Sequence, residues 1–175
     1  MTIHEAIANN IGSVITGCVA ILSACITAGV ALLVSNVNHK RSLENEKRKE
    51  KIERLERLYI DFECWSQYLQ KIYICVSYEF KGGYSADDMN KKMENMNSAP
   101  KDKYPFIEAT INLHHGELLG AFENVIAQKS KVGKYILGEK KSSLLNPFID
   151  EQDKFSVVCN NFKNSIIIEM NRLTM

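Results

Sequence analysis

Ile11-Gly-Ser-Val-Ile-Thr-Gly-Cys-Val-Ala-Ile-Leu-Ser-Ala-Cys-Ile-Thr-Ala-Gly-Val-Ala-Leu-Leu-Val34 is the stretch on which the reading of this chain turns. No Asp, Glu, Lys or Arg occurs between Glu5 and His39. A helix needs about 20 consecutive apolar residues to cross a hydrocarbon layer about 30 Å thick, and this segment has that length with a few residues over. A buried helix of a water-soluble core is the plainer alternative, but such helices rarely go so far without a charge. A cleaved secretory signal needs a basic n-region and an apolar run of about 7–15 residues. Here the n-region offers only His4 and Glu5, and the apolar run is far too long. The segment therefore reads as a membrane anchor that stays on the chain.

The flanks set the expected orientation. Lys40, Arg41, Lys47, Arg48, Lys49, Lys51 and Arg54 follow the apolar run, and no Lys or Arg precedes it. The positive-inside rule then puts the C-terminal side in the cytoplasm and the short N-terminus outside. Glu44, Glu46, Glu50 and Glu53 stand among these bases, so the same stretch also fits a salt-bridged stalk helix. It fits contact with anionic lipid as well. The five cysteines, at 18, 25, 64, 75 and 159, form no C-x-x-C pair, which suits packed, reduced thiols in a cytoplasmic protein.

Beyond the anchor the pattern is helical throughout, and the expected class is all-α. Residues 1–38 hold the external N-terminus and the span, and residues 39–175 a cytoplasmic antiparallel helical bundle. Ile52, Leu55, Tyr59, Phe62, Ser66, Leu69, Tyr73, Val76 and Phe80 step by alternating threes and fours, with Leu58, Trp65 and Ile72 widening the face. That predicts a long stalk helix over about 42–80, stopped by Gly82-Gly83. Ser85 is expected to cap a short helix bearing Met89, Met93 and Met96. Pro105 opens a third helix with the apolar face Phe106, Ile107, Ile111, Leu113, Leu118, Leu119, Phe122, Val125 and Ile126. Residues 129–143 read as a basic connection, and 134–137 is also compatible with a short strand. Asn146-Pro147 reads as N-cap and first residue of a last helix, with Phe148, Phe155, Val158, Phe162, Ile166, Met170 and Leu173 facing inward. The chain has no internal repeat and no low-complexity tract.

Two patterns suggest function. Within the span Ser13, Gly17, Ala20, Ala24, Thr27 and Ala31 recur at 4, 3, 4, 3 and 4 residues, opposite Ile15, Val19, Leu22, Ile26, Val30 and Leu33. Membrane helices associate through such small-residue stripes, because only close backbone approach is gained in lipid. Small residues are common in spans anyway, but the paired stripes favour self-association. In the basic connection, Lys129, Lys131, Lys134, Lys140 and Lys141 crowd around Gly133, Gly138 and Tyr135. Lysines attract phosphate, glycines let backbone N–H groups approach it, and an aromatic ring stacks on a base. An ordinary solvated connection between helices explains the same residues without a ligand, and no phosphate-loop signature is present.

His114-His115 cannot readily chelate one ion, because neighbours on a helix point about 100° apart. One ring facing the core and the other facing solvent is the simpler expectation. Met89, Met93, Met96, Cys64 and Cys75 read as packing rather than as ligands. No catalytic motif, cofactor fingerprint or metal pattern appears, so no enzymatic activity and no cofactor are expected. The net charge of +1 by itself says nothing about partners, and no DNA binding is expected.

A single span (11–35), a basic stalk (40–80) and a compact helical domain with a basic segment (129–143) resemble small bacterial phage-defence membrane effectors of abortive-infection type. The membrane effectors of type III CRISPR systems that bind cyclic oligoadenylate are among them. The resemblance is one of architecture. It implies an antiviral role, a homo-oligomer in the lipid bilayer, and a cyclic oligonucleotide messenger that binds the cytoplasmic domain and perturbs the membrane helices. The Lys-rich segment with Tyr135 and the small-residue stripe are what this sequence offers in support. A membrane-tethered interaction protein, as in superinfection exclusion, is the second reading. A holin-like lytic protein is the third.

Overall fold

The structure, a computed structural model, describes residues 3–83, 87, 88, 91, 103–138 and 140–175, with the side chains at 5–9, 12 and 14 left aside. Every regular element among the described residues is helical. Helix α1 runs Ile3–Phe80, α2 Lys103–His114, α3 Leu119–Leu137 and α4 Leu145–Thr174. Short 3-10 turns at Gly116–Leu118 and Ser142–Leu144 lead into α3 and α4. The chain divides into two compact units, Met1–Lys49 and Glu50–Met175, and α1 supplies residues to both.

In the first unit no described side chain is buried. Ile15, Val19, Leu22, Ile26, Val30 and Leu33 are bare, and so are Ile21, Leu32, Val34 and Val37 around the rest of the helix. Each Val, Leu or Ile left in water forgoes roughly 1.5–3 kcal/mol relative to burial, so a helix apolar on all sides calls for an apolar surrounding. This helix is long and apolar enough to cross a membrane. Thr27 satisfies its hydroxyl within the helix, donating to the carbonyl oxygen of Ser23 at 2.8 Å.

The second unit is a helical bundle around one core. All nine seam residues from Ile52 to Phe80 are buried or half-buried, as the threes-and-fours spacing predicts. The aromatic contacts give the topology. Phe62 meets Phe162 at 4.5 Å between ring centroids, Tyr73 meets Phe155 at 5.3 Å, and Phe80 meets Phe148 at 5.3 Å. Rising numbers on α1 meet falling numbers on α4, so the two are antiparallel. Phe122 against Phe162 (5.5 Å) and Tyr135 against Phe148 (6.0 Å) make α3 antiparallel to α4 as well. Cys75 and Cys159 are buried, and burial pushes the Cys159 thiol up to about 12. Cys64 is exposed and, unlike the packed thiol expected from the sequence, takes no part in the core.

Several boundaries differ from the sequence expectation. The single third helix is two, broken at His115, whose φ of −138° leaves the helical region. Gly116 is a poor helix former, and the break re-phases the apolar face. Phe106 and Leu113 turn outward, while Ile107, Ile111, Leu118, Phe122 and Val125 are buried. The expected connection 129–143 is helical as far as Leu137, which also removes the alternative of a strand at 134–137. Val132, Tyr135 and Ile136 continue the inward face, and lysine is a good helix former at exposed positions. Helix α4 starts at Leu145, so Asn146 and Pro147 lie in its first turn, where a missing N–H costs little. Ser85, Met89, Met93 and Met96 lie outside the described residues.

Gly82 closes α1 at a positive φ of 70°. Its N–H donates to the carbonyl oxygen of Glu79, and that of Gly83 donates to Tyr78, both at 2.9 Å. This double bond pattern is a Schellman cap, which favours glycine at the left-handed position. Gly82→Ala is expected to cost about 1 kcal/mol. That is read as a fall of about 2–4 °C in the helical melting of the full chain, whereas Gly133→Ala, at an ordinary helical position, leaves the midpoint unchanged or raises it.

Candidate functional site

The six residues of the basic cluster do not converge. Lys129 is half-buried, and its ammonium lies over the rings of Tyr104 (5.0 Å) and Trp65 (5.6 Å), a cation–π contact inside the domain. Lys140 folds back on the end of α3, where its Nζ donates to the carbonyl oxygens of Tyr135 (2.9 Å), Ile136 and Gly138 (3.1 Å). Those are the carbonyls that a helix end leaves without partners. A lysine there also meets the negative end of the helix dipole. Tyr135 is half-buried with its ring on Phe148, so it serves packing. Lys141 is exposed at the entry to the second 3-10 turn. Lys131 and Lys134 remain, exposed and three residues apart, so they share one face of α3.

Next to them lies a set of residues that the sequence reading passed over. Gln128 is 5 % exposed, and its amide donates to the carbonyl oxygen of Glu151 (3.0 Å) and to its carboxylate (2.7 Å). Lys154 completes the set at 2.6 Å from Glu151. Hydrogen bonds from Lys154 and then Gln128 hold the Glu151 carboxyl below its ordinary value. A polar residue at a core position of the 122–125–128–132 stripe was the available signal for Gln128.

The remaining candidates fall into separate places. His115 is 1 % exposed, with Nδ1 3.3 Å from a Glu117 carboxylate oxygen. His114 faces outward, with Nδ1 3.2 Å from an Arg54 guanidinium nitrogen. One imidazole in the core and one at the surface is the arrangement expected. In the first unit, Ser13, Gly17, Ala20, Ala24, Thr27 and Ala31 are all exposed, and Thr27 and Ala31 line an open hollow on α1 with Asn38 and Ser42. In the basic stretch after the apolar run, Glu50 pairs with Arg54 one turn on, as in a salt-bridged helix.

Two ion pairs within the second unit tie its helices together. Asp61, 4 % exposed, receives Lys103 at 2.5 Å, joining α1 to the start of α2. Glu63 receives Lys163 at 2.8 Å, joining α1 to α4. The chain matches no protein-family model, no curated protein and no solved structure.

The hydrogen bond from Lys163 holds Glu63 below its ordinary value of 4.5, against the opposing effect of burial. A carboxylate depressed in the folded state stabilises fully above its unfolded value, and the stabilisation goes as pH falls through the folded value. Urea titrations of the full chain in detergent are therefore expected to show no loss from this pair between pH 7 and about 5.5. Below about pH 4.5 roughly 1 kcal/mol disappears, given the partial exposure of both side chains. Lys163→Met removes this component of the acid loss.

Proposed function

We propose that this chain is a single-pass membrane protein acting as a ligand-responsive effector on the membrane that holds it. The observation that carries the reading is the uncharged stretch between Glu5 and His39. It forms helix with every described large apolar side chain bare, in a chain whose other unit has a complete core of its own. A helix that pairs all its backbone groups internally is one of the few structures lipid accepts. The bases from Lys40 to Arg54 support an external N-terminus and a cytoplasmic domain. The exposed stripe from Ser13 to Ala31 supports self-association in the bilayer. For the ligand contact, Lys131 and Lys134 share one exposed face of α3, and they suit a small anion. The abortive-infection architecture makes ligand-triggered loss of membrane integrity the activity to look for.

One observation favours the second reading, a membrane-tethered interaction module. Tyr59, Ile60, Ile167 and Met170 line a mostly apolar groove of about 320 Å³ between α1 and α4, with Glu56 at its edge. A partner inserting one apolar side chain would fill it.

The full chain in dye-filled liposomes separates these readings. An effector releases dye only after one member of a panel of cyclic oligonucleotides is added, and Lys131→Glu with Lys134→Glu abolishes the response. Release without any addition favours a holin-like lesion. No release with any member, together with stoichiometric capture of one protein, favours the interaction module. Orientation is checked by reporter fusions, with alkaline phosphatase expected to be inactive at the C-terminus and active at the N-terminus.

A further inference from the structure

Helices α3 and α4 enclose a small hollow of about 270 Å³ on the exposed side of their contact. It exists because Ala121 and Ala127 stand where longer side chains would fill the space, leaving Val158 and Phe162 as its apolar lining. Its polar lining consists of three carboxamides, Asn124, Gln128 and Asn161, together with the ammonium of Lys131. No carboxylate lines it. The Gln128 amide is fixed, since its nitrogen is committed to both oxygens of Glu151 described above, and its Oε1 is left as the available acceptor. Asn124 and Asn161 are exposed and free to turn donor or acceptor inward.

A carboxamide carries a donor and an acceptor side by side. The edges it matches best do the same, as adenine does when read by Asn or Gln. Three such groups around apolar walls suit a flat heterocycle rather than an alkyl chain. The volume falls just below the range of about 300–1,000 Å³ typical of small-molecule sites, which leaves room for one ring system. Lys131 then supplies one positive charge for an anionic substituent. We infer that the hollow between α3 and α4 binds a single nucleobase-type heterocycle carrying one anionic group, with Asn124, Gln128 and Asn161 reading its edge and Lys131 its charge. This rests on the ligand-responsive reading above and moves its contact from a lysine cluster to a carboxamide pocket that shares only Lys131 with that cluster.

Calorimetric titration of the full chain in detergent with AMP and UMP, and with adenosine and uridine as uncharged counterparts, tests it. At least one base is expected to bind. Ala127→Leu and Asn161→Leu fill the hollow from exposed helical positions where leucine is well tolerated. Each should raise Kd about tenfold or more at an unchanged melting midpoint. Lys131→Met should weaken the monophosphate about tenfold and leave the nucleoside unchanged. Wild-type affinity in both filled variants would place the ligand elsewhere, overturning this site while leaving the effector reading intact. Failure of the wild type to bind either base overturns the inference outright, and the effector reading is then decided by ligand-triggered dye release.

Discussion

Helix α1 carries two different distributions of apolar residues on one backbone, and most of the structure follows from that difference. Through residues 11–37 they occupy every side of the helix, and none of the described ones is buried. From Ile52 to Phe80 most are gathered onto one seam, with Ile60, Ile74 and Tyr78 exposed outside it, and the opposite side carries Glu53, Glu56, Gln67 and Lys71 in the open. The first distribution suits a surrounding that is apolar in all directions, and the second suits a bundle wetted on its outside. Between them, Lys40 to Arg54 form a run that neither environment would bury. A helix can carry all three without interruption because its own hydrogen bonds are satisfied regardless of what surrounds it.

The second unit depends on α4 as the first depends on its long uncharged run. Phe148, Phe155 and Phe162 repeat every seven residues and enter the gap between α1 and α3, each meeting rings from both or from the longer of them. Rings at these separations add roughly 0.5–1.5 kcal/mol per pair beyond burial. The ion pairs Asp61–Lys103 and Glu63–Lys163 lie beside this core and set which residues face each other. Their net contribution is smaller, because charges must leave water to make them.

What could be read from the sequence was whatever repeats. The seam 52–80 was legible because nine positions keep one spacing, and the α4 face was legible for the same reason. The break at His115 was not, because Ile107, Ile111, Leu118, Phe122 and Val125 would also fit one unbroken helix, and it is the backbone at His115, at a φ of −138°, that departs from it. The basic segment misled for a different reason. Five lysines within fifteen residues look like a common purpose, yet a lysine ammonium at the end of four methylenes is as well placed to lie over a ring or cap a helix end as to meet a ligand. Lys129 and Lys140 do those things, and no spacing rule distinguishes them from Lys131. The carboxamide pocket was invisible because its members come from two helices and its volume comes from alanines.

The sequence separation of the α1–α4 contacts also bears on how the protein is made. Glu63 and Lys163 are 100 residues apart, and the rings that meet Phe62, Tyr73 and Phe80 from across the bundle all lie in α4, within Leu145–Thr174. At synthesis rates of about 5–20 residues per second, the seam of α1 waits roughly 5–20 s for its partner to leave the ribosome. During that interval Leu55, Leu58, Phe62 and Val76 are bare on a nascent chain whose apolar N-terminal helix has already emerged. Shielding of those side chains from other chains matters most in this window. A message that ends early, even by one helix, yields a chain that never leaves it.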